Sequence, residues 1–255
     1  MKNRVLAPIV GIACFLGAWE LLVRLGNVRP FVLRPPSRII RYLARFPDDY
    51  LSASWVTVQH AYIGISFALV MALAVGALMA ASPFVENAVH PVLTLVQVTP
   101  FVAYIASVVL WLGSGTKPAI FIVALVCLPA FTFATVDGMR GADPAARELL
   151  SSVDASRLEV LWRLRLPSAM PSLFTAARYN VGLALIAAYL VEGGNFANEG
   201  LGAIGARASV GARAADALWG TVFSMAILGT LSLVALSLVQ RTVMRWHVSQ
   251  RRQLR

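Results

Sequence analysis

The sequence predicts an all-α membrane protein of six transmembrane helices, on three observations. The first is composition: 58% of the 255 residues are hydrophobic and 13% are charged, against about 45–50% and about 25% in a soluble domain. With 22 basic and 12 acidic side chains, the chain cannot clothe a soluble core of this length, so hydrocarbon must solvate much of its surface. The second is a set of six uncharged runs, residues 5–19, 51–85, 87–116, 118–136, 179–191 and 217–240. The third is where the charge falls: an arginine-rich stretch, one long charged connection and a basic tail. The net charge of +10 therefore points to anionic lipid headgroups and not to nucleic acid.

Crossing about 30 Å of hydrocarbon takes about 20 helical residues at about 1.5 Å each. The second, third, fourth and sixth runs suffice unaided. The first gains length if Glu20 sits at the interface and Leu21-Leu22-Val23 continue the helix. The fifth is extended by Ala176-Ala177-Arg178, with Arg178 snorkelling. Met1-Lys2-Asn3-Arg4 resembles the start of a leader, but Trp19-Glu20 stands where a small-residue cleavage site would lie, so the first stretch is expected to remain. Cys14 and Cys127 fall inside apolar runs and read as small core residues.

Between the first two spans, Arg24, Arg29, Arg34, Arg38, Arg41 and Arg45 surround Ile39, Ile40 and Leu43, which predicts a short amphipathic helix capped by Ser37 and lying on the membrane surface. Gln97, Thr99 and Pro100 interrupt the third span. Polar groups and a proline at membrane depth face a cavity or another helix, so these three are translocation-path candidates, as are Asn180 and Tyr189 in the fifth span. Glu192 at the end of that span is a candidate gate. Residues 192–216, rich in Gly, Ala and Asn, read as an adaptable loop or a short re-entrant piece. The tail carries Arg241, Arg245, Arg251, Arg252 and Arg255. Six spans put both termini on one side, which then carries thirteen basic residues against nine, so the positive-inside rule places the termini in the cytoplasm.

The charged connection, residues 137–178, is longer than loops between packed helices usually are and reads as an element with a task. Asp143-Pro144 predicts a capped helix running to about Ser152. Ser156-Arg157-Leu158-Glu159 is a capping-box pattern that opens a second helix, with Leu158, Leu161 and Trp162 on one face. The two helices meet at Val153-Asp154-Ala155, and Leu166-Pro167 is expected to stop the second before the fifth span begins.

These residues carry a family resemblance. Glu148 and Asp154-Ala155-Ser156-Arg157 through Leu166-Pro167 resemble the "EAA…G…LP" cytoplasmic loop of ABC import permeases. The stretch Leu166–Leu173 is similar to the "LPaAlPsl" of their nitrate/sulfonate/taurine branch. Residues 33–37 resemble its "lPsPs", residues 111–115 its "lWfGlG", and residues 136–140 its "vdGlr"; Glu192 with Gly200-Leu201-Gly202 is similar to its acidic residue and "GLG". The resemblance implies a type I ABC importer permease fold, one permease domain over residues 1–255, with a coupling loop at about 137–178 built on Glu148, Asp154, Ala155, Ser156, Arg157, Leu158, Leu166 and Pro167. It implies a bacterial inner-membrane protein working with a dimeric ABC ATPase, a solute-binding protein and a second permease copy, as homodimer or heterodimer. ATP and Mg would sit on the ATPase, with no cofactor or metal on this chain. The implied cargo is a small organic anion such as a sulfonate, taurine or nitrate, or a thiamine-pyrimidine or riboflavin-type precursor.

Two positions depart from the pattern: Glu148-Leu149-Leu150 replaces Glu-Ala-Ala, and Asp154 replaces the turn glycine. Asp enters the left-handed region at modest cost, so the turn is expected to survive. No Gly-x-x-x-x-Gly-Lys-Ser/Thr loop occurs, in keeping with a separate ATPase. The rival from another class is an intramembrane serine protease using Ser114 with His60 or His90, and a third reading is an uncoupled channel subunit. His60, His90 and His247 are too scattered to suggest a metal site.

Overall fold

The computed structural model describes residues 2–26, 28–29, 32–196, 199–208 and 214–244, and among them there are helices and turns and no strand. Helix α1 is Lys2–Leu25, α2 Pro36–Leu43, α3 Pro47–Ala81, α4 Pro83–Val98, α5 Ile105–Leu112, α6 Thr116–Arg140, α7 Pro144–Ser152, α8 Arg157–Val160, α9 Leu166–Val191, α10 Leu201–Arg207 and α11 Ala214–Val243. The tail arginines 245, 251, 252 and 255, and His247, lie outside the described residues.

The centre is a tight stack of α3, α6 and α9. Down one side of α3 run Ala61, Gly64, Ala68, Ala72 and Gly76, all buried, and this spacing of small residues lets two backbones approach without any hydrophobic drive from water. The approach is close: a Cβ on Gly64 would lie 2.5 Å from Val123, and one on Gly76 2.7 Å from Thr135. Both contacts have the same sequence offset, so α3 and α6 run parallel. Parallel neighbours in sequence require the chain between them to return. It does so through α4 and α5, which bend by 89° at Thr99-Pro100. The third run is therefore one broken span where the sequence suggested an interrupted but single helix. Pro100 supplies no N–H, and the carbonyls of the last α4 turn are met locally: the Thr99 hydroxyl donates to Leu95 O at 2.7 Å.

Helix α9 runs antiparallel to α6. The Asn180 amide donates to Cys127 O (3.2 Å) and the Ser172 hydroxyl to Ala134 O (2.8 Å). Helix α11 is antiparallel to α9 in turn, held by Arg178 on Gln240 (2.7 Å) near one end and by the Tyr189 hydroxyl on Thr221 (3.0 Å) near the other. With α1, α3, the broken pair, α6, α9 and α11, the count of six crossings agrees with the sequence. The ends of α3 and α6 share a near side, where Arg140 forms a two-pronged pair with Glu86 (2.7 and 2.6 Å). Helices α2 and α10 lie at the far side, and so does the C-terminal end of α1, through Trp19 against Trp219.

Several expectations are corrected. Ser37 is not the cap of α2: Pro35 holds that position, and Ser37, the second residue of the helix, donates its backbone N–H to Glu20 Oε2 (3.0 Å) and its hydroxyl to Glu20 Oε1 (2.7 Å). A carboxylate from α1 thus satisfies the helix start, where the dipole favours it. Pro167 does not stop a helix either. Residues 157–191 form one continuous helical rod with a π turn at Leu161–Arg165, and the wider turn, with the Ser168 hydroxyl on Leu164 O (2.8 Å), absorbs the missing N–H. Cys14 is exposed on α1, whose faces are nearly all turned outward, whereas Cys127 is buried. Within residues 192–216, read as an adaptable loop or a short re-entrant piece, Leu201–Arg207 form a short, mostly buried helix, and residues 197–198 and 209–213 lie outside the described residues.

Candidate functional site

The near-side connection folds as two short helices around a turn. Asp143 caps α7 by accepting from Ala145 N (2.9 Å). At its other end Asp154 has φ +53°, the only positive φ of a non-glycine residue among those described. Asp154 N donates to Ser151 O (3.2 Å) and Ala155 N to Leu150 O (3.0 Å), the paired 5→2 and 6→1 bonds that close a helix through one left-handed residue. The expected capping box opens α8: Glu159 N donates to Ser156 Oγ (3.3 Å) and Ser156 N to Glu159 Oε2 (2.9 Å).

What this turn presents is apolar. Leu149 and Val153 are each 68% exposed, Leu158 63% and Trp162 62%. Four large apolar groups thus stand exposed on one short element, an apolar patch of the kind that marks interaction sites. Glu148, Asp154, Ser156 and Arg157 are exposed around them, while Ala155, Leu166 and Pro167 are half-buried where the element joins the bundle.

The path candidates divide in two. Gln97, Thr99 and Pro100 stand exposed at the apex of the broken span. Asn180 is buried, and its side chain turns into α6 as a clamp on Cys127 O. Tyr189 is wedged against Gly205, its hydroxyl on Thr221.

Glu192 is fully buried at the far end of α9. Its Oε1 lies 2.8 Å from Nδ1 of His60, while its Oε2 accepts from the Thr57 hydroxyl (2.8 Å) and from Gly202 N (3.1 Å). Thr57 Oγ1 also accepts from Leu201 N (2.9 Å). Glu192 and the threonine together meet the first N–H groups of α10, so the buried side-chain oxygens have hydrogen-bond partners here. The glycines are steric requirements: Gly200 has φ +94°, a Cβ there would strike the Glu192 carboxyl, and one on Gly202 would strike the Tyr189 carbonyl oxygen. Local sequence reasoning missed His60 and Thr57, because 132 and 135 residues separate them from Glu192. It also missed the far-side pair of Arg34 with Asp216 (2.7 Å), both buried and joined by Arg38 (3.2 Å). His60 thereby contacts Glu192, the His90 ring packs against Phe133, and Ser114 sits exposed in a bend, so none of the contacts among the described residues brings Ser114 to either histidine of the protease reading. Among the described residues no group of three metal-ligating side chains occurs.

Comparison with known proteins bears on both regions. The family described as "binding-protein-dependent transport system inner membrane component" matches residues 64–253. The taurine transport system permease protein TauC of Escherichia coli (strain K12) is 25% identical over 97% of this chain and 92% of its own length. The formylaminopyrimidine transport permease protein ThiX of Halalkalibacterium halodurans is 26% identical over 96% and 97%. Among solved structures, an inward-facing conformation of the MetNI methionine ABC transporter superposes with a TM-score of 0.67 at 18% identity, over 78% of this chain and 98% of that one.

Proposed function

The chain belongs to the family of binding-protein-dependent transport system inner membrane components, the transmembrane permeases of ABC importers, and from that premise we propose how it works and what it carries. Residues 144–162 dock on a separate ATP-hydrolysing subunit, which holds ATP and Mg. The observation that carries this reading is the exposed apolar set Leu149, Val153, Leu158 and Trp162 on a rigid turn. The near side is then the cytoplasm, with both termini there, and a solute-binding protein delivers cargo at the far side. Two permease copies, as homodimer or heterodimer, enclose the path, with Gln97, Thr99 and Pro100 at the apex of the broken span turned toward it.

The coupling route follows from the continuous rod over residues 157–191, about 50 Å long at about 1.5 Å per residue. Movement of the docking turn is passed along that rod to Glu192, whose bonds to α3 and α10 place two further helices under the same control. Packed helices switch between discrete arrangements, so a small displacement at the turn suffices to shift the far side.

The cargo is a small organic anion of the sulfonate, taurine or nitrate kind, supported by the taurine permease among the relatives. The formylaminopyrimidine permease, matched over nearly its whole length, supports a heterocyclic precursor as the second reading. The test is uptake into vesicles holding this chain, its ATPase and its binding protein, with labelled taurine, nitrate and formylaminopyrimidine compared. ATP-dependent uptake of an anion is expected. Uptake that proceeds equally without ATP, or a wild-type chain that retains no ATPase subunit on purification, refutes the importer assignment.

A further inference from the structure

Asp154 stands where a helix most often ends on glycine. It occupies the left-handed position that ends α7 (φ +53°), where glycine carries no Cβ penalty and an L-residue loses roughly 1 kcal/mol. It also sets a negative charge beside the C-terminal carbonyls of α7, the end of a helix where the dipole favours cations. The backbone bonds from Asp154 N and Ala155 N close the turn, but among the described residues no hydrogen bond or ion pair meets the exposed Asp154 carboxylate. Glu148 is a second exposed carboxylate on the same element, and on an ideal helix it stands opposite half-buried Ala146 and Leu150, with Arg147 and Leu149 on its two flanks. The nearby cations are Arg147, Arg157 and Arg163; Arg163 lies 3.4 Å from Glu159, and neither Arg147 nor Arg157 meets Asp154.

We infer that the docking turn is charge-coded: the Asp154 carboxylate meets a lysine or arginine of the ATP-hydrolysing subunit, at the rim of the apolar contact made by Leu149 and Val153. This rests on the docking proposed above and adds the chemistry of the partner surface. A rim ion pair steers association and selects the partner more than it raises affinity. A permease with glycine at this position would fit an ATPase lacking that cation, so the aspartate restricts which ATPase this chain accepts.

The experiment uses the full-length permease in detergent and the purified ATPase subunit of the same transporter, with binding measured at low and high salt. Asp154→Asn keeps a residue that tolerates the left-handed turn and removes the charge; Asp154→Gly relaxes the turn and removes the charge; Asp154→Lys reverses it. Both neutral variants are expected to bind about threefold to tenfold more weakly at low salt and to match wild type at about 1 M salt, where the screening length is about 3 Å. Asp154→Lys should bind more weakly still, and reversal of one basic residue on the ATPase surface that meets the turn should restore it. Asp154→Gly also serves as the folding control, since its thermal midpoint should equal or exceed that of wild type. If both neutral variants bind like wild type at every salt concentration while Leu149→Asp abolishes binding, the docking stands and the charge code is overturned. If wild type itself binds no ATPase subunit, the docking and the charge code fall together.

Discussion

Replacing Glu192 by leucine is the sharpest perturbation of this structure, because a single side chain there satisfies three buried partners. Leucine matches glutamate in approximate size, so packing is little changed, but the His60 ring nitrogen loses its hydrogen-bond partner and the Thr57 hydroxyl and Gly202 N lose their acceptor. Leaving a buried donor unsatisfied costs about 1–3 kcal/mol. Thr57 recovers part of this through Ala53 O at 3.1 Å, and the imidazole can shift its tautomer. A net loss of about 3 kcal/mol is therefore expected, which for a chain of this size lowers the unfolding midpoint by about 6–12 °C. Glu192→Gln keeps one oxygen for Thr57 and Gly202 and offers its amide to His60, so it should lose only the charge-assisted part, about 1 kcal/mol. The assay is thermal unfolding in detergent, followed by intrinsic tryptophan fluorescence. The order wild type, Gln, Leu is expected, and Thr57→Val combined with Glu192→Leu should cost less than the sum of the two. A leucine variant melting within about 2 °C of wild type would show that Glu192 does not hold α10 against α3.

Three further outcomes are expected. Asp216→Ala strands buried Arg34 and should cost about 3–5 kcal/mol, most of it recovered by adding Arg34→Leu, read from thermal midpoints. Gly202→Ala drives a methyl into the Tyr189 carbonyl and should reduce folded yield on size-exclusion chromatography, whereas Gly182→Ala, with open space around its Cβ position, should not. Leu149→Asp should leave the stability within about 0.5 kcal/mol of wild type, as a surface change does, while abolishing retention of the ATPase subunit.

Features coded within a few residues were legible. The capping box at Ser156–Glu159, the Asp143 cap and the left-handed Asp154 each arise from contacts within about five residues, and each forms as read. Pro167 was misread because its local rule, that proline stops a helix, yields where a π turn and the Ser168 hydroxyl take up the freed carbonyls. Cys14 was misread because apolar residues in a membrane chain face lipid as readily as core, and hydropathy does not separate the two.

By itself, the sequence determined that the chain lives in hydrocarbon, how many times it crosses, and where a rigid turn interrupts the apolar pattern, because these follow from transfer energies and short-range caps. Only the tertiary structure decided what Glu192 does. Read alone it is an acid at the end of a span; folded, it is the acceptor that joins Thr57 and His60 of α3 to the first N–H groups of α10. The same holds for Arg34 with Asp216 and for the 89° break at Thr99-Pro100. A buried polar group chooses its partner by proximity in space, and that proximity exists only once α3, α6 and α9 have packed along their small residues.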